Sequence, residues 1–333
     1  MLTKAFTRST ALLAKLALAT GTAALSVIPA TSVASTSFPD KPLRLVVGFP
    51  PGGGVDVAAR ALGGVLSEEL GQPVVVENIP GAGGNIATDR VVKASADGYT
   101  LLFGSIALSI NPTLYKSLNF DPVKQLRAVS MVSTSPYVLL ANAQSGITSV
   151  QDLVSQVKGG KQLDFASAGN GSGSHLFMQQ FSDLAGIKMT HIPYRGAAPA
   201  MNDVLGNQVP LVFDSIMTTL PHIKAGTVKA LGLSSVKKSA VAPEIPSLDE
   251  QGVKGMDSTS WFIVFAPAGT PDATVDTLNR AINKALSQPA LKQRFMDMGA
   301  EVVPSTAADA QAFYQSEVAK WAKVVSASGV QLD

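Results

Sequence analysis

Along most of the chain, short apolar runs alternate with stretches whose apolar positions recur three and four residues apart. The period-two and period-3.6 patterns predict a strand over 43–47, a helix ending near 70 and a strand over 74–76. A helix from about 85 to 94 and a strand over 100–104 follow. Strands alternating with helices in this way imply a parallel sheet with helices on its faces, where ligands sit at the carboxyl ends of the strands. The segment 131–140 interrupts an apolar run with Ser133, Thr134, Ser135 and Pro136, and predicts a crossing into a second domain.

Beyond that crossing the alternation resumes. Helices are predicted over 149–157, 174–184, 197–205 and 218–225, and strands over 163–166, 191–193, 209–213 and 230–234. The stretch 237–254, with Pro243 and Pro246, reads as surface connection. A second apolar run, 261–266, carries the chain back to the first domain. Thr270 is placed to cap the next helix and Pro271 to occupy its first position. Val275, Leu278, Ile282 and Leu286 recur at helical spacing as core, and a last helix over 305–326 turns Phe313, Val318, Trp321 and Val325 inward. The organisation predicted is two α/β lobes, 35–135 with 261–333 and 136–260, joined by two crossovers as a hinged clam shell.

Residues 1–34 stand outside that pattern. Lys4, Arg8 and Lys15 precede an alanine-rich apolar run from 16 to 28, too short to span a bilayer comfortably, and Ser32-Val33-Ala34 offers small residues at the positions a signal peptidase reads. The expectation is a secretory signal peptide cleaved after Ala34. Its removal takes three of the 26 lysines and arginines and no acid, leaving 23 basic against 24 acidic residues. A nearly neutral chain argues against nucleic acid as a partner. With no cysteine there is neither a disulfide framework nor an amino-terminal lipid site. A free periplasmic protein, monomeric, fits these features.

Two glycine loops follow the first two strands: Gly48-Phe49-Pro50-Pro51-Gly52-Gly53-Gly54-Val55-Asp56, and Pro80-Gly81-Ala82-Gly83-Gly84-Asn85. Glycine permits positive φ and close ligand approach, and a helix start carries unpaired N–H groups with partial positive charge, so each loop is a candidate anion site. A dinucleotide site is the rival, but the third glycine position holds Val57, and no Lys-Ser or Lys-Thr pair makes a P-loop. Asp56 is expected to cap its own helix. Ser105 ends the third strand at the same sheet edge. A third loop, Ser167 to His175, lacks the glycine spacing of a hydrolase nucleophile elbow, and Ser174 and His175 are neighbours whose side chains diverge. It offers hydroxyls and N–H groups suited to a carboxylate. Arg195 is placed either to fork onto a ligand carboxylate or in solvent, and Asp214 either to cap the following helix or to hold a water. His175, His191 and His222 have no metal spacing, so neither metal nor cofactor is expected.

Taken in order, these loops together with Asp97-Gly98-Tyr99-Thr100, His191-Ile192-Pro193-Tyr194-Arg195-Gly196 and Ala266-Pro267-Ala268-Gly269-Thr270-Pro271 resemble the Bug-type receptors of tripartite tricarboxylate transporters over essentially all of the mature chain. The resemblance implies an α/β, two-lobed type II periplasmic-binding fold that closes on a carboxylate, and no catalysis. Carried residue by residue, it puts first-lobe contacts at Gly52, Gly53, Asp56, Gly81, Ala82, Gly83 and Asn85. Opposing contacts fall at Ser167, Ala168, Gly169, Ser172, Ser174, His175 and Asp214. Phe49, Ser105 and Arg195 complete the candidate set, with arginine standing where many relatives have lysine; Phe49, Tyr137 and Trp261 are aromatic residues near the mouth that could equally be core. The expected function is capture of a small carboxylic acid, a dicarboxylate or an aromatic carboxylate, for delivery to inner-membrane permease subunits. The alternatives are a receptor feeding a membrane sensor and, third, an α/β enzyme.

Overall fold

The computed structural model describes residues 38–333, so the predicted leader lies outside the described residues. The elements run β1 (Leu43–Val47), α1 (Gly54–Leu70), β2 (Val74–Asn78), α2 (Asn85–Val92), β3 (Thr100–Ser105), α3 (Ala107–Leu114) and a short α4 (Pro122–Gln125) into a long β4 (Leu126–Asn142). Next come α5 (Val150–Lys158), β5 (Asp164–Ser167), α6 (Gly173–Ala185), β6 (Thr190–Pro193), α7 (Ala197–Leu205), β7 (Leu211–Ser215), α8 (Ile216–Lys224) and β8 (Val228–Leu233). The chain finishes with β9 (Thr259–Pro267), α9 (Asp272–Ser287), α10 (Pro289–Asp297), β10 (Glu301–Val302) and α11 (Ala307–Ser328).

The main path of the sheet is β2-β1-β3-β9-β4-β7-β5-β6, with β8 and β10 also paired to β4. The sheet is mixed where the alternation predicted a parallel one. Two parallel trios form, β1 with β2 and β3, and β5 with β6 and β7. Two antiparallel strands, β9 and β4, join them. The Pro136 segment does not break β4; it is where the strand changes partners. Residues up to Pro136 pair with β9, and from Tyr137 onward β4 pairs with β7. Proline has no N–H to give a ladder, so a handover point tolerates it better than the middle of either pairing.

Other expectations change in detail. The 237–254 stretch is not a surface connection: Ala242, Ile245, Leu248 and Val253 are buried, and Leu233 and Leu248 exchange backbone bonds with the segment, from Leu233 N to Pro246 O and from Leu248 N to Leu233 O. Its apolar side chains fill the layer beside β8, which proline spacing alone does not reveal. Pro271 is the cap residue of α9 and Thr270 does not cap it; the Thr270 hydroxyl is buried without a partner. Helices α3 and α10 were not anticipated. On α11 the fully buried positions are Ala310, Tyr314, Trp321 and Val325, while Phe313 and Val318 pack half-buried at the margin.

Helix α11 packs against α3, β4 and α6 and so ties both parts of the sheet to one core. At its centre lies a polar knot. Glu317, 5% exposed, accepts the indole N–H of Trp261 at 3.1 Å and of Trp321 at 3.0 Å through the same oxygen, and pairs with Lys320. Buried donors that lose their acceptor each cost about 1–3 kcal/mol. Glu317→Ala should therefore lower unfolding stability by roughly 3 kcal/mol, read as a shift in urea midpoint, and Glu317→Gln, which keeps an acceptor oxygen, should cost clearly less. Equal and negligible losses in both would show that the knot carries no weight.

Candidate functional site

The carboxyl ends of the parallel strands open onto one cavity of about 460 Å³. Because each such strand is followed by a helix, and the two trios run in opposite directions, the cavity collects helix starts from both sides. Gly54 and Val55 begin α1, Ile106 and Ala107 begin α3, Ser172 to Ser174 begin α6, Ala197 begins α7, and Ser215 begins α8, and all of them line the cavity. Helix starts carry unpaired N–H groups and a partial positive charge. The N–H groups of Gly54, Val55, Gly173 and Ser174 form no hydrogen bond among the described residues. Among the described residues, no lysine, arginine or histidine lines the cavity. Its walls are mostly apolar: Ile106, Ile110 and Leu114 on α3, then Met217, Phe262 and Leu332.

The first-half loops touch through their backbones. A Cβ on Gly48 would lie 2.7 Å from the Gly84 Cα, so the two loops can approach only with glycine there. Gly83, at φ +62°, lines the cavity, and its carbonyl accepts from Asn111 Nδ2 at 3.0 Å. Asp56 does not face the cavity. It is 3% exposed and accepts from Gly52 N at 2.9 Å, Asn78 Nδ2 at 2.9 Å and the Arg60 guanidinium at 2.9 and 3.1 Å. Burial pushes this carboxyl up, but the bonds from Arg60, Gly52 and Asn78 outweigh it and leave it below the usual carboxylate range. The expected cap is thus a latch: from the third helical position Asp56 reaches back to the Gly52 amide, one residue before the Gly53 cap, and holds the loop.

In the second half the Ser172 hydroxyl caps α6, accepting from His175 N at 3.3 Å, and the Ser174 hydroxyl accepts from Ala168 N at 2.8 Å. His175 and His191 stack at 3.8 Å, with His191 Nε2 2.5 Å from Ser167 Oγ and His175 Nδ1 accepting from Gly171 N at 3.2 Å. Burial, then the neighbouring His191, pushes His175 down to about 4, and burial also lowers His191, so both are neutral packing groups at pH 7. Asp214, at the end of β7, does line the cavity. One of its oxygens accepts from Ser215 N at 2.7 Å, while the Ser215 hydroxyl caps α8 by accepting from Met217 N. Burial pushes its carboxyl up to about 6, against smaller opposing effects of the Ser215 amide and Thr218 hydroxyl. Tyr137 reaches the cavity from β4 and stacks on Phe177 at 4.2 Å; burial and the nearby Asp214 charge hold its phenol protonated.

Of the candidate contacts, Phe49, Gly83, Ser105, Ala168, Ser172, Ser174 and Asp214 meet at this cavity. Gly52, Gly53, Asp56, Gly81, Ala82 and Asn85 do not line it; Ala82 and Asn85 flank a separate recess beside Tyr115 and Asp333. Ser167, Gly169 and His175 lie behind the third loop as its support, and Arg195 is exposed to solvent. Of the mouth aromatics, Trp261 is core at 1% exposed.

Several lining residues escaped the sequence reading: Asn111 and Tyr115, the α3 wall, Met217, Phe262 and Leu332. The apolar spacing of Ala107, Ile110 and Leu114 marks a helix that Pro112 obscured. Leu332 offers no such signal; it arrives through a bridge to Tyr115. Across the cavity mouth Gly171, at φ +72°, packs so closely on Leu114 that a Cβ there would overlap it.

A family profile described as "Tripartite tricarboxylate transporter family receptor" matches residues 58–330. The protein BugT of Bordetella pertussis is 37% identical over 306 residues, covering 91% of this chain and 94% of BugT. Among solved structures, the periplasmic binding protein BugD aligns with a TM-score of 0.76 at 36% identity, over 88% of this chain and 99% of BugD. Rpa4515 of R. palustris, solved with adipate, aligns with a TM-score of 0.79 at 32% identity, over 88% of this chain and 99% of its own.

The environment of Asp214 fixes the sign of a pH effect. Its carboxyl has a higher affinity for protons in the folded than in the unfolded chain, so folding is penalised by its ionisation, a penalty that is absent below pH 4 and complete above pH 6. Two units correspond to about 3 kcal/mol. Asp214→Asn should raise the melting temperature at pH 7.5, with the gain shrinking to nothing near pH 4 in thermal unfolding followed across that range. A gain that is the same at both pH values would show that ionisation is not its source.

Proposed function

The chain belongs to the tripartite tricarboxylate transporter receptor family, and from that premise we propose that it captures a small carboxylic acid in the cavity between its sheet halves and hands it to the membrane subunits of such a transporter. The family is one of periplasmic solute-binding receptors rather than enzymes. The observation that carries the ligand class is the convergence of five helix starts on a cavity that, among the described residues, no lysine, arginine or histidine lines. Backbone N–H groups at helix starts favour an anion by about 0.3–1 kcal/mol each when exposed, and by more when partly buried. A micromolar dissociation constant needs about 8 kcal/mol, which several such bonds and burial of an apolar body reach together. The apolar walls suit an aliphatic or aromatic carbon skeleton.

In this reading residues 35–135 with 261–333 form one lobe, and residues 136–260 the other. The lobes close over the ligand about β4 and β9. Gly171 against Leu114 is one of the points where they meet, beside α11 on α6. The amino-terminal 34 residues direct export and are removed, so that the receptor works free in the periplasm.

A thermal-shift comparison of free acids with their methyl esters tests the anion argument: the acids should raise the melting temperature by several degrees and the esters should not. Equal stabilisation by both would remove it. Gly83→Val, which places a branched side chain at a left-handed backbone position within reach of Tyr115 and Asn111, should weaken acid binding at least a hundredfold in calorimetry without unfolding the β5 to β8 region. Unchanged affinity would put the ligand elsewhere.

A further inference from the structure

Two hollows share a thin wall. Beside the cavity, behind the second glycine loop, lies a recess of about 270 Å³ whose lining includes Asn85, Asp89, Tyr115, Phe120 and Asp333. Tyr115 lines both hollows, while Leu332 lines the cavity and Asp333 the recess. Successive residues of an extended chain point to opposite sides, so the segment after α11 runs between the two as part of their partition. Gly329, at φ +66°, ends α11 and turns the chain back to this position. The fastening is slight. Leu332 N donates to Leu114 O at 2.7 Å, Lys116 N donates to Leu332 O at 2.9 Å, and the exposed Lys116–Asp333 pair closes at 2.6 Å. Among the described residues, Val330 N to Ser328 Oγ is the one other hydrogen bond that residues 330–333 make. The recess is polar on its α2 side, where Asn85 Nδ2 and Asp89 Oδ1 are buried without a partner among the described residues; such groups draw water.

We infer that residues 330–333 are a strap over a side entrance, and that when it lifts a small molecule passes between cavity and solvent through the recess while the two halves of the fold stay together. Two backbone hydrogen bonds and a solvent-exposed ion pair, itself of little worth, open locally far more often than packed strands and helices do. The halves, by contrast, are tied by the continuous strand β4 and by α11 packed on α6. Leu114 belongs to both arrangements: its carbonyl holds the strap, and its side chain meets Gly171 across the cavity mouth. Parting the halves therefore disturbs the strap, whereas the strap lifts without parting the halves. Access by this route is open to a molecule small enough to pass Tyr115, whatever class of ligand the cavity selects.

The chain has no cysteine, so an introduced thiol reports access by itself. Ser105→Cys, at a cavity position 8% exposed, is alkylated with iodoacetamide in the mature protein, and Val204→Cys, buried on α7, is the control for global opening. Loosening the strap with Lys116→Ala and Leu332→Gly should speed alkylation at position 105 at least tenfold and leave that at position 204 unchanged. A lock should do the reverse. Lys116→Cys and Asp333→Cys stand side by side where neighbouring strands are about 4.8 Å apart, close enough for a disulfide. Formed before alkylation, that bond should slow the reaction at position 105 at least fivefold relative to the same chain kept reduced, read site by site by mass spectrometry. No acceleration on loosening, or equal rates with the strap locked and free, overturns the inference, since access then runs between the halves alone. Where loosening also speeds alkylation at position 204, the fold as a whole has loosened and the lock decides: slowing at position 105 supports the strap, and no slowing removes it.

Discussion

A helix cannot satisfy the N–H groups of its own first turn, and α1, α3, α6, α7 and α8 bring that deficit to one place. They do so because β1 and β3 from one side, and β5, β6 and β7 running the opposite way from the other, all end at the cavity before the next helix begins. Everything else at the site accommodates this. Glycines at 48 and 84 let two loops lie backbone to backbone, Ser172 and Ser215 cap part of the deficit with hydroxyls, and Asp56 fastens the first loop from behind. What remains open is a set of amides fixed by secondary structure, so their positions do not depend on a flexible side chain finding its rotamer.

An anchor of this kind is weakly charged compared with a guanidinium, and that has a chemical effect. With no cationic side chain lining the cavity among the described residues, one buried carboxylate is enough to change its electrostatic character, which a nearby arginine would have masked. The apolar wall formed by α3 and Phe262 strengthens the effect by keeping the local dielectric low. The same wall comes from a helix that also packs on α11, so cavity shape and core packing are linked through α3.

Most of the strand and helix order and the two glycine loops could be read from local pattern, because each depends on residues a few positions apart. What the pattern could not supply was partnership across the fold. Asp56 and Asp214 look alike as acids beside helix starts, and they differ because Asn78 and Arg60 reach the first, while the second has only the neighbouring Ser215 amide and Thr218 hydroxyl and no cation among the described residues. Arg195 had the right chemistry for a carboxylate but sits in solvent, since the orientation of its loop is set by packing far away in sequence. Leu332 lines the cavity through a bridge to Tyr115 more than two hundred residues earlier. The expected parallel sheet became mixed because β9 and β4 are two long antiparallel strands, a relation that periodicity within one strand does not encode.

The knot at Glu317 has a spectroscopic consequence. The chain has two tryptophans, and both indoles give their N–H to one carboxylate oxygen in the core. Intrinsic emission therefore comes from a single dry locus, and both fluorophores change environment together when α11 lifts away. Trp321 touches Phe177, which stacks on Tyr137 at the cavity, so the optical signal reaches the ligand through two aromatic rings and no polar group. Quenching by a water-soluble agent such as acrylamide thus measures how often the last long helix detaches.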